Sequence, residues 1–92
     1  MVRPRKLRFL RGAPEATYFK PQGIPLRMLQ EIILTLDEFE AIRLHDVENL
    51  PQILAAKEMN ISQPTFARIL NRAYKKIALA IVNGMAIKIE KY

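Results

Sequence analysis

Residue types that carry most enzymatic and metal chemistry are scarce in this 92-residue sequence. It has no cysteine and no tryptophan, and it holds one histidine, His45, and one serine, Ser62. Without cysteine the chain can form no disulfide, no thiolate metal site and no thiol nucleophile, a composition typical of a reducing compartment. Ser62 has a structural explanation as a helix cap, so no serine–histidine pair is left for catalysis.

The acidic residues do not predict a metal site either. Asp37, Glu38 and Glu40 are close in sequence, but they fall at the start of a predicted helix, where acidic side chains complement the helix dipole. A lone histidine such as His45 is more often a surface or core residue than a ligand. We therefore expect a protein with no enzymatic activity, no metal and no cofactor.

Long apolar runs are also missing. No stretch approaches the roughly 18 residues that indicate a membrane span, and no signal-peptide-like segment follows the charged N-terminus. The sequence therefore predicts a soluble cytoplasmic protein with no membrane partner. Its length is that of one domain, and we expect so short a chain to gain stability from oligomerisation or from close packing.

Charge is plentiful but unevenly distributed. The net charge is +6 and the pI is about 10.0, which points to a polyanionic partner. Residues 1–30 carry seven basic side chains and one acidic side chain. Residues 31–58 carry two basic and seven acidic side chains, and residues 59–89 carry five basic side chains and no acidic one. A surface tuned only for solubility would mix the two signs, so this segregation is more informative than basicity alone.

Hydrophobic periodicity and turn residues predict a mainly α protein, with a three-helix helix-turn-helix core and short N- and C-terminal strands. Residues 1–14 are expected to form a basic arm, since they offer little apolar surface to bury. Residues 15–92 are expected to form a single helix-turn-helix domain. Near its start, residues 18–19 are a candidate strand, and residues 32–34 match either a buried strand or a helix.

Capping residues divide the rest of the chain into three helices and a final strand. A capping box, prolines in first turns, and asparagine or glycine at helix ends mark the boundaries. These signals are Thr35 with Glu38, Pro51, Asn60, Ser62, Pro64 and Gly84. The resulting helices span about residues 35–47, 52–59 and 63–83, and the alternating pattern of residues 85–90 predicts a terminal strand.

Residues 52–71 have the pattern of a helix-turn-helix. Two helices that meet at a steep angle need small residues where they cross, a turn residue that tolerates positive φ, and apolar residues that lock them together. Ala55 and Ala56 are the small residues, and Asn60 occupies the turn. The apolar residues at the locking positions are Met59, Ile61, Phe66 and Ile69. Any helical hairpin with a tight corner would share part of this pattern.

The third helix separates apolar from basic residues in the manner of a recognition helix. In a helix-turn-helix, the first residues of the second helix reach base edges, and flanking residues hold phosphates. The residues expected to face the groove are Gln63, Pro64, Ala67, Arg68 and Asn71. The residues expected at phosphates are Ser62, Arg72, Lys75 and Lys76. Gln63 and Asn71 would pair with adenine and Arg68 with guanine; the alternative is a solvated basic helix face.

The N-terminal arm is a second candidate site. Arg3, Arg5 and Lys6 flank or follow Pro4, which keeps the chain extended. Such short basic tails enter A·T-rich minor grooves, where the negative potential attracts arginine. A disordered solubilising tail would have the same composition, so the residues alone favour neither alternative.

The C-terminal half of the third helix is apolar on every side, which is not the pattern of an exposed helix. Residues 77–82 need cover, either from the N-terminal segment and the final strand or from a second subunit. We expect a homodimer through this segment, because two-fold helix-turn-helix proteins read paired half-sites.

Several strings along the chain are specific when they are taken together. They are RPR at residues 3–5, TYFKP at 17–21, GIPLR at 23–27, LTLDE at 34–38, EAIRL at 40–44 and VNG at 82–84. In these strings the sequence resembles a small uncharacterised prokaryotic family of predicted DNA-binding proteins, and the resemblance covers nearly the full length. The helix-turn-helix of that family is similar to region four of bacterial sigma factors. The resemblance therefore implies a winged or plain three-helix DNA-binding fold and a regulatory role.

These patterns predict a protein that binds double-stranded DNA in a sequence-specific manner and regulates transcription, with a recognition helix over about residues 63–76 in the major groove. Two alternatives stay open. An RNA-binding module would share the basicity, although RNA binders usually stack bases on exposed aromatics and the basic helix offers only Tyr74. An adaptor protein that docks on RNA polymerase would use the acidic block at residues 31–58.

Overall fold

Eight elements follow one another in the described part, residues 14–91, of the computed structural model. They are β1 (Tyr18–Phe19), a 3₁₀ turn (Leu26–Met28), β2 (Glu31–Leu34), α1 (Leu36–Ile42), a π-helical turn that continues α1 (Arg43–Val47), α2 (Gln52–Glu58), α3 (Gln63–Asn83) and β3 (Ala86–Ile89). The protein is thus mainly helical, with three α-helices and a small sheet, and this part of the prediction is confirmed. The predicted arm, with Arg3, Arg5 and Lys6, lies outside the described residues except for Pro14.

The strands form one mixed sheet in the order β1-β3-β2. β3 pairs antiparallel with β1, with Tyr18 opposite Lys88, and parallel with β2, with Glu31 opposite Ala86. Parallel neighbours require a crossover connection, and here all three α-helices form that crossover between β2 and β3. The pairing also decides between the two alternatives for residues 32–34, which belong to a strand.

The first helix begins where its capping box predicts. Thr35 Oγ1 accepts a hydrogen bond from the backbone N–H of Glu38 (3.2 Å), and Glu38 Oε1 accepts one from the N–H of Thr35 (2.9 Å). Each interaction satisfies a backbone donor that has no partner within the helix. The helical segment continues through the wide π turn to Val47, and Asn49 at φ 63° redirects the chain toward α2.

The boundaries of the third helix are also confirmed. Asn60 adopts φ 59° in the turn between α2 and α3, and Ser62 Oγ caps α3 by accepting from the N–H of Thr65 (3.3 Å). Gly84 ends the helix in the left-handed conformation, at φ 66°, where a residue without Cβ is least strained. None of the helices within residues 14–91 combines the length and the apolar character that a membrane span needs.

The main core lies where the three helices meet, and a smaller cluster joins α3 to the sheet. The buried residues of the main core are Ala41, Leu44, Ala55, Ala56, Phe66, Ile69 and Leu70. The second cluster is formed by Leu34, Ala73 and Ile89. Because α3 contributes to both, one of its faces is buried along most of its length. Its opposite face is left exposed.

A candidate nucleic-acid interface

The corner between α2 and α3 is packed by the residues that the sequence predicts. Ala55 and Ala56 are buried, and their lack of bulk lets the two helices approach closely. Phe66 and Ile69 of α3 are buried against them, and Met59 and Ile61 from the turn pack on the same cluster in partly exposed positions. The four locking positions therefore all contribute to one small core, which holds the start of α3 in place.

The exposed face of α3 carries most of the predicted contact residues. At 100° per residue, the stripe opposite Phe66 and Ala73 runs along the helix in steps of three and four residues. The exposed members of the predicted set are Gln63, Pro64, Arg68, Asn71, Arg72 and Lys75, and Ala67 is partly buried. The fold thus gathers amide and cationic side chains on one accessible helix surface.

Arg68 is held in place by a chain of hydroxyl groups at the start of α3. Ser62 Oγ donates a hydrogen bond to Thr65 Oγ1 (2.9 Å), and Arg68 Nη2 donates to the same Thr65 oxygen (3.2 Å). A guanidinium group has five N–H donors, so this tether leaves four of them for a ligand. Thr65 was absent from the sequence-based set, and its spacing of three residues from both Ser62 and Arg68 is the signal that could have identified it.

A second contact links the first residues of the two helices. Gln63 Nε2 at the start of α3 donates to Gln52 Oε1 at the start of α2, over 2.8 Å. Sequence reasoning selected Gln63 but missed Gln52. Gln52 could have been identified from its position, because Gln52 and Gln63 are each the first residue of a helix and directly follow the N-cap residues Pro51 and Ser62.

Lys76 has a structural role instead of facing solvent with the other cations. Its Nζ donates to Glu38 Oε1 (2.8 Å) and to the backbone carbonyl oxygen of Ile33 (2.7 Å). The side chain of Glu38 is only 2% exposed, so this ion pair fastens α3 to the junction between β2 and α1. The phosphate contact predicted for Lys76 is therefore revised, because its ammonium group is engaged within the fold.

The environment of Glu38 favours its charged form. Burial raises the pKa of this carboxyl group, but hydrogen bonds from Lys76 and from the N–H of Thr35 outweigh burial and hold the pKa below its usual value of 4.5. Arg72 Nε lies 3.5 Å from the other carboxylate oxygen, and the side chain of Arg72 is 62% exposed. Arg72 is therefore partly oriented by Glu38 while most of it faces solvent.

Several side chains of the predicted acidic block have partners within the protein, although five of its seven acidic residues are exposed. Glu40 accepts two hydrogen bonds from the guanidinium group of Arg43, whose other side lies 3.5 Å from Glu48. Asp46 accepts from the hydroxyl group of Tyr74 (2.6 Å), and burial together with this bond raises the pKa of Tyr74 to about 12. Asp46 of the π turn is thus linked to α3, whereas Glu40 and Glu48 are both linked to Arg43.

The single histidine is likewise part of the fold. His45 Nδ1 donates to the carbonyl oxygen of Leu50 (2.8 Å), since a carbonyl oxygen can only accept. Its ring meets Phe66 edge-on at a centroid distance of 6.4 Å. Within residues 14–91, no three histidine or acidic side chains are grouped closely enough to hold a metal ion.

These observations define a small, mainly helical protein whose α2–α3 corner presents an exposed, basic helix. Residues 1–91 match the family model described as Protein of unknown function DUF134, and the chain belongs to that family. A UPF0251 protein of Caldanaerobacter subterraneus is 57% identical over 98% of this chain and 76% of its own length. UPF0251 proteins of Thermoanaerobacter pseudethanolicus and Desulfosudis oleivorans are 53% and 52% identical over 98% of this chain, and over 76% and 65% of their own lengths. No solved structure matches the chain.

Proposed function

We propose that this protein binds double-stranded DNA in a sequence-specific manner, through α2 and α3 acting as a helix-turn-helix, and that it regulates transcription. One observation supports the proposal most. The first turns of α3 expose amide and guanidinium groups beside a tightly packed helix corner, and residues 59–89 contain no acidic side chain that would repel a phosphate. The resemblance to the DNA-binding region four of sigma factors points in the same direction.

The proposed contacts follow from the chemistry of each exposed group. Asn71 and Gln63 offer the donor and acceptor that adenine needs, and Arg68 offers the fork that matches guanine. Arg72 and Lys75 lie exposed on later turns of the same helix, where they would contact phosphates. Lys75 forms no ion pair with a described residue, so its charge is available.

Six further residues of the predicted set have more varied roles. Pro64 and the partly buried Ala67 lie on the same face and would supply apolar contacts, for instance to a thymine methyl group. The hydroxyl group of Ser62 is already bonded to Thr65, so Ser62 acts chiefly as the cap. Arg3, Arg5 and Lys6 are proposed to reach an adjacent minor groove.

The experiment that tests this function is selection from a randomised duplex DNA pool at several salt concentrations, with sequencing of the retained fraction. We expect an enriched motif and an affinity that falls with salt, with a log–log slope of about −4 to −7 for a handful of phosphate contacts. A single-stranded RNA pool of matched composition is the control. Salt-sensitive retention without a motif would contradict sequence-specific binding, and preferential retention of RNA would contradict DNA as the partner.

We also propose that a second copy of the chain covers the end of α3. Leu79, Ile81 and Val82 are 40%, 74% and 80% exposed, an unusual concentration of apolar surface for a free helix end. Residues 77–87 contain no ionisable side chain. On a chain with a net charge of +6, this is a segment where two copies can meet without like charges opposing each other.

The surroundings of this apolar surface suit such a contact. A shallow groove of about 320 Å³ runs between β1 and the end of α3, lined mainly by apolar residues that include Phe19, Ile81 and Ile87. Val82 lies 14 residues beyond Arg68, which is about 21 Å along the helix axis. Two copies joined at this end would therefore keep the DNA-contacting first turns of their α3 helices apart, as binding to paired half-sites requires.

The dimer is tested by replacing both Ile81 and Val82 with glutamate and measuring molecular mass by sedimentation equilibrium. We expect the wild type to be dimeric and the double variant to be monomeric with unchanged helical content. Ile53→Glu is the matched control, because Ile53 on α2 is also exposed, at 62%. A wild type that stays monomeric at every concentration, or a control that dissociates as much as the double variant, would contradict the proposed interface.

A further inference from the structure

The hydrogen bond between Gln52 and Gln63 lies at the point where α2 and α3 both begin. Gln63 Nε2 donates to Gln52 Oε1 over 2.8 Å, and neither side chain makes another hydrogen bond with a described residue. Gln63 is exposed and Gln52 is partly exposed. Two long side chains that would otherwise sample many rotamers are thus joined at the accessible surface where the two helices begin.

The groups that this bond leaves unused match one base. A glutamine amide has two N–H donors and an oxygen acceptor. Gln63 gives one N–H to Gln52. When this is the N–H that points away from Oε1, the second N–H and Oε1 form a free edge of the amide. A glutamine reads adenine with that pair, because Nε2 donates to N7 and Oε1 accepts from the N6 amino group.

We propose that Gln52 is a positioning residue that fixes the amide plane of Gln63 for reading adenine in a DNA major groove. The inference rests on the proposed function and makes it more specific. Gln63 is the group that touches the base, and Gln52 acts through it by removing rotamer freedom before the DNA arrives. The bond also couples the orientations of the two amides, since a flipped Gln63 amide would bring two oxygens together unless Gln52 flipped with it and became the donor.

The test uses two variants of Gln52 with different hydrogen-bonding capacity. Gln52→Met keeps the length of the side chain and loses the acceptor, whereas Gln52→Glu keeps an acceptor for Gln63 Nε2 and adds a negative charge. The base pair that Gln63 reads is first identified as the one at which Gln63→Ala loses its base preference. Binding is then measured on duplexes that carry the enriched motif and on duplexes changed at that base pair. Gln22→Met, an exposed glutamine outside the corner, is the matched control.

We expect Gln52→Met to reduce the preference for adenine at that base pair by about 2- to 10-fold, the cost of immobilising one side chain on binding. In a Gln63→Ala background the same change should have no effect. Gln52→Glu should weaken binding to all duplexes through its charge and leave the preference for adenine intact. Gln22→Met should change neither quantity.

The outcomes separate the inference from the function on which it rests. If the wild type enriches no duplex motif, the proposed function fails and the inference fails with it. If a motif is enriched but Gln63→Ala changes no base preference, or Gln52→Met leaves the adenine preference at its wild-type value, the function stands and the inference is overturned. A loss of preference in Gln52→Glu equal to that in Gln52→Met would also overturn it.

Discussion

Replacing Lys76 with methionine is expected to lower the free energy of unfolding by about 3 kcal/mol at neutral pH, near the lower end for a broken buried ion pair. The change leaves the carboxylate of Glu38, which is 2% exposed, without the ammonium group that lies 2.8 Å away. Arg72, at 3.5 Å from the other oxygen, limits the loss. Methionine preserves the apolar stem of lysine, so urea denaturation of the variant measures mainly the lost charge.

The loss should depend on pH in a direction that follows from the pKa of Glu38. In the wild type that pKa lies below 4.5, so its stabilising contribution is present above the unfolded-state value and disappears as pH falls through the folded-state value. In the variant without Lys76, burial favours the neutral form of Glu38. Protonation of Glu38 at lower pH then removes the cost of a buried, unpaired charge. The stability difference should therefore shrink as the pH is lowered from about 7 into the acid range where Glu38 becomes protonated.

Two further variants make this prediction specific. Lys75→Met removes a neighbouring charge that forms no ion pair with a described residue, and we expect it to cost less than about 0.5 kcal/mol. Glu38→Gln combined with Lys76→Met should recover much of the loss, because the glutamine oxygen still accepts from the N–H of Thr35. Equal losses in Lys75→Met and Lys76→Met, or a difference that does not change with pH, would contradict the structural role assigned to Lys76.

Replacing Arg68 with alanine is expected to weaken binding to the selected DNA motif by about 1–3 kcal/mol, or roughly 5- to 150-fold. The guanidinium group is tethered by Thr65 through one N–H (3.2 Å), and the remaining donors would contact O6 and N7 of a guanine. The loss should be largest at one base pair, where the variant should no longer discriminate between guanine and the other bases. Fluorescence anisotropy on matched and substituted duplexes measures both effects.

Two control variants distinguish recognition of the guanine base from a general effect of positive charge on DNA binding. Lys88→Ala removes one positive charge from β3, away from the α2–α3 corner, and should leave discrimination unchanged. Arg68→Lys keeps the charge but loses the planar fork, so we expect it to retain part of the affinity and little of the guanine preference. If Arg68→Ala binds the motif as the wild type does, the helix does not read DNA through this residue, and a protein-docking role becomes the better explanation.

Local features of the fold were predictable because their causes lie within a few residues. The capping box of Thr35 and Glu38 and the cap at Ser62 depend on side chains three positions from the backbone groups that they serve. The positive φ of Asn60 and the helix end at Gly84 depend on the residue type at the position itself. The strand assignment of residues 32–34 was not predictable in this way. It depends on pairing with β3, more than fifty residues later in the chain.

In the candidate site, too, some features follow from nearby residues and others depend on residues far away in the sequence. Periodicity placed Arg68, Asn71 and Lys75 on one face of α3, since a helix face is a property of sequence spacing. Periodicity also placed Lys76 at the edge of that face, without showing that a buried carboxylate lies beside it. Gln52 is not identified by sequence spacing because its partner Gln63 belongs to another helix, and their contact exists only once the corner has formed.

By itself, the sequence determined the helix boundaries, the apolar stripe of α3 and the concentration of positive charge on that helix, because each follows from short-range capping, periodicity or composition. Only the tertiary structure decided how individual polar side chains are used. Lys76 is committed to Glu38, which is 38 positions away, while Arg68 stays accessible and Gln63 is joined to Gln52. The physical reason is that a charge or an amide takes the nearest partner in space, and packing brings distant residues within hydrogen-bond reach.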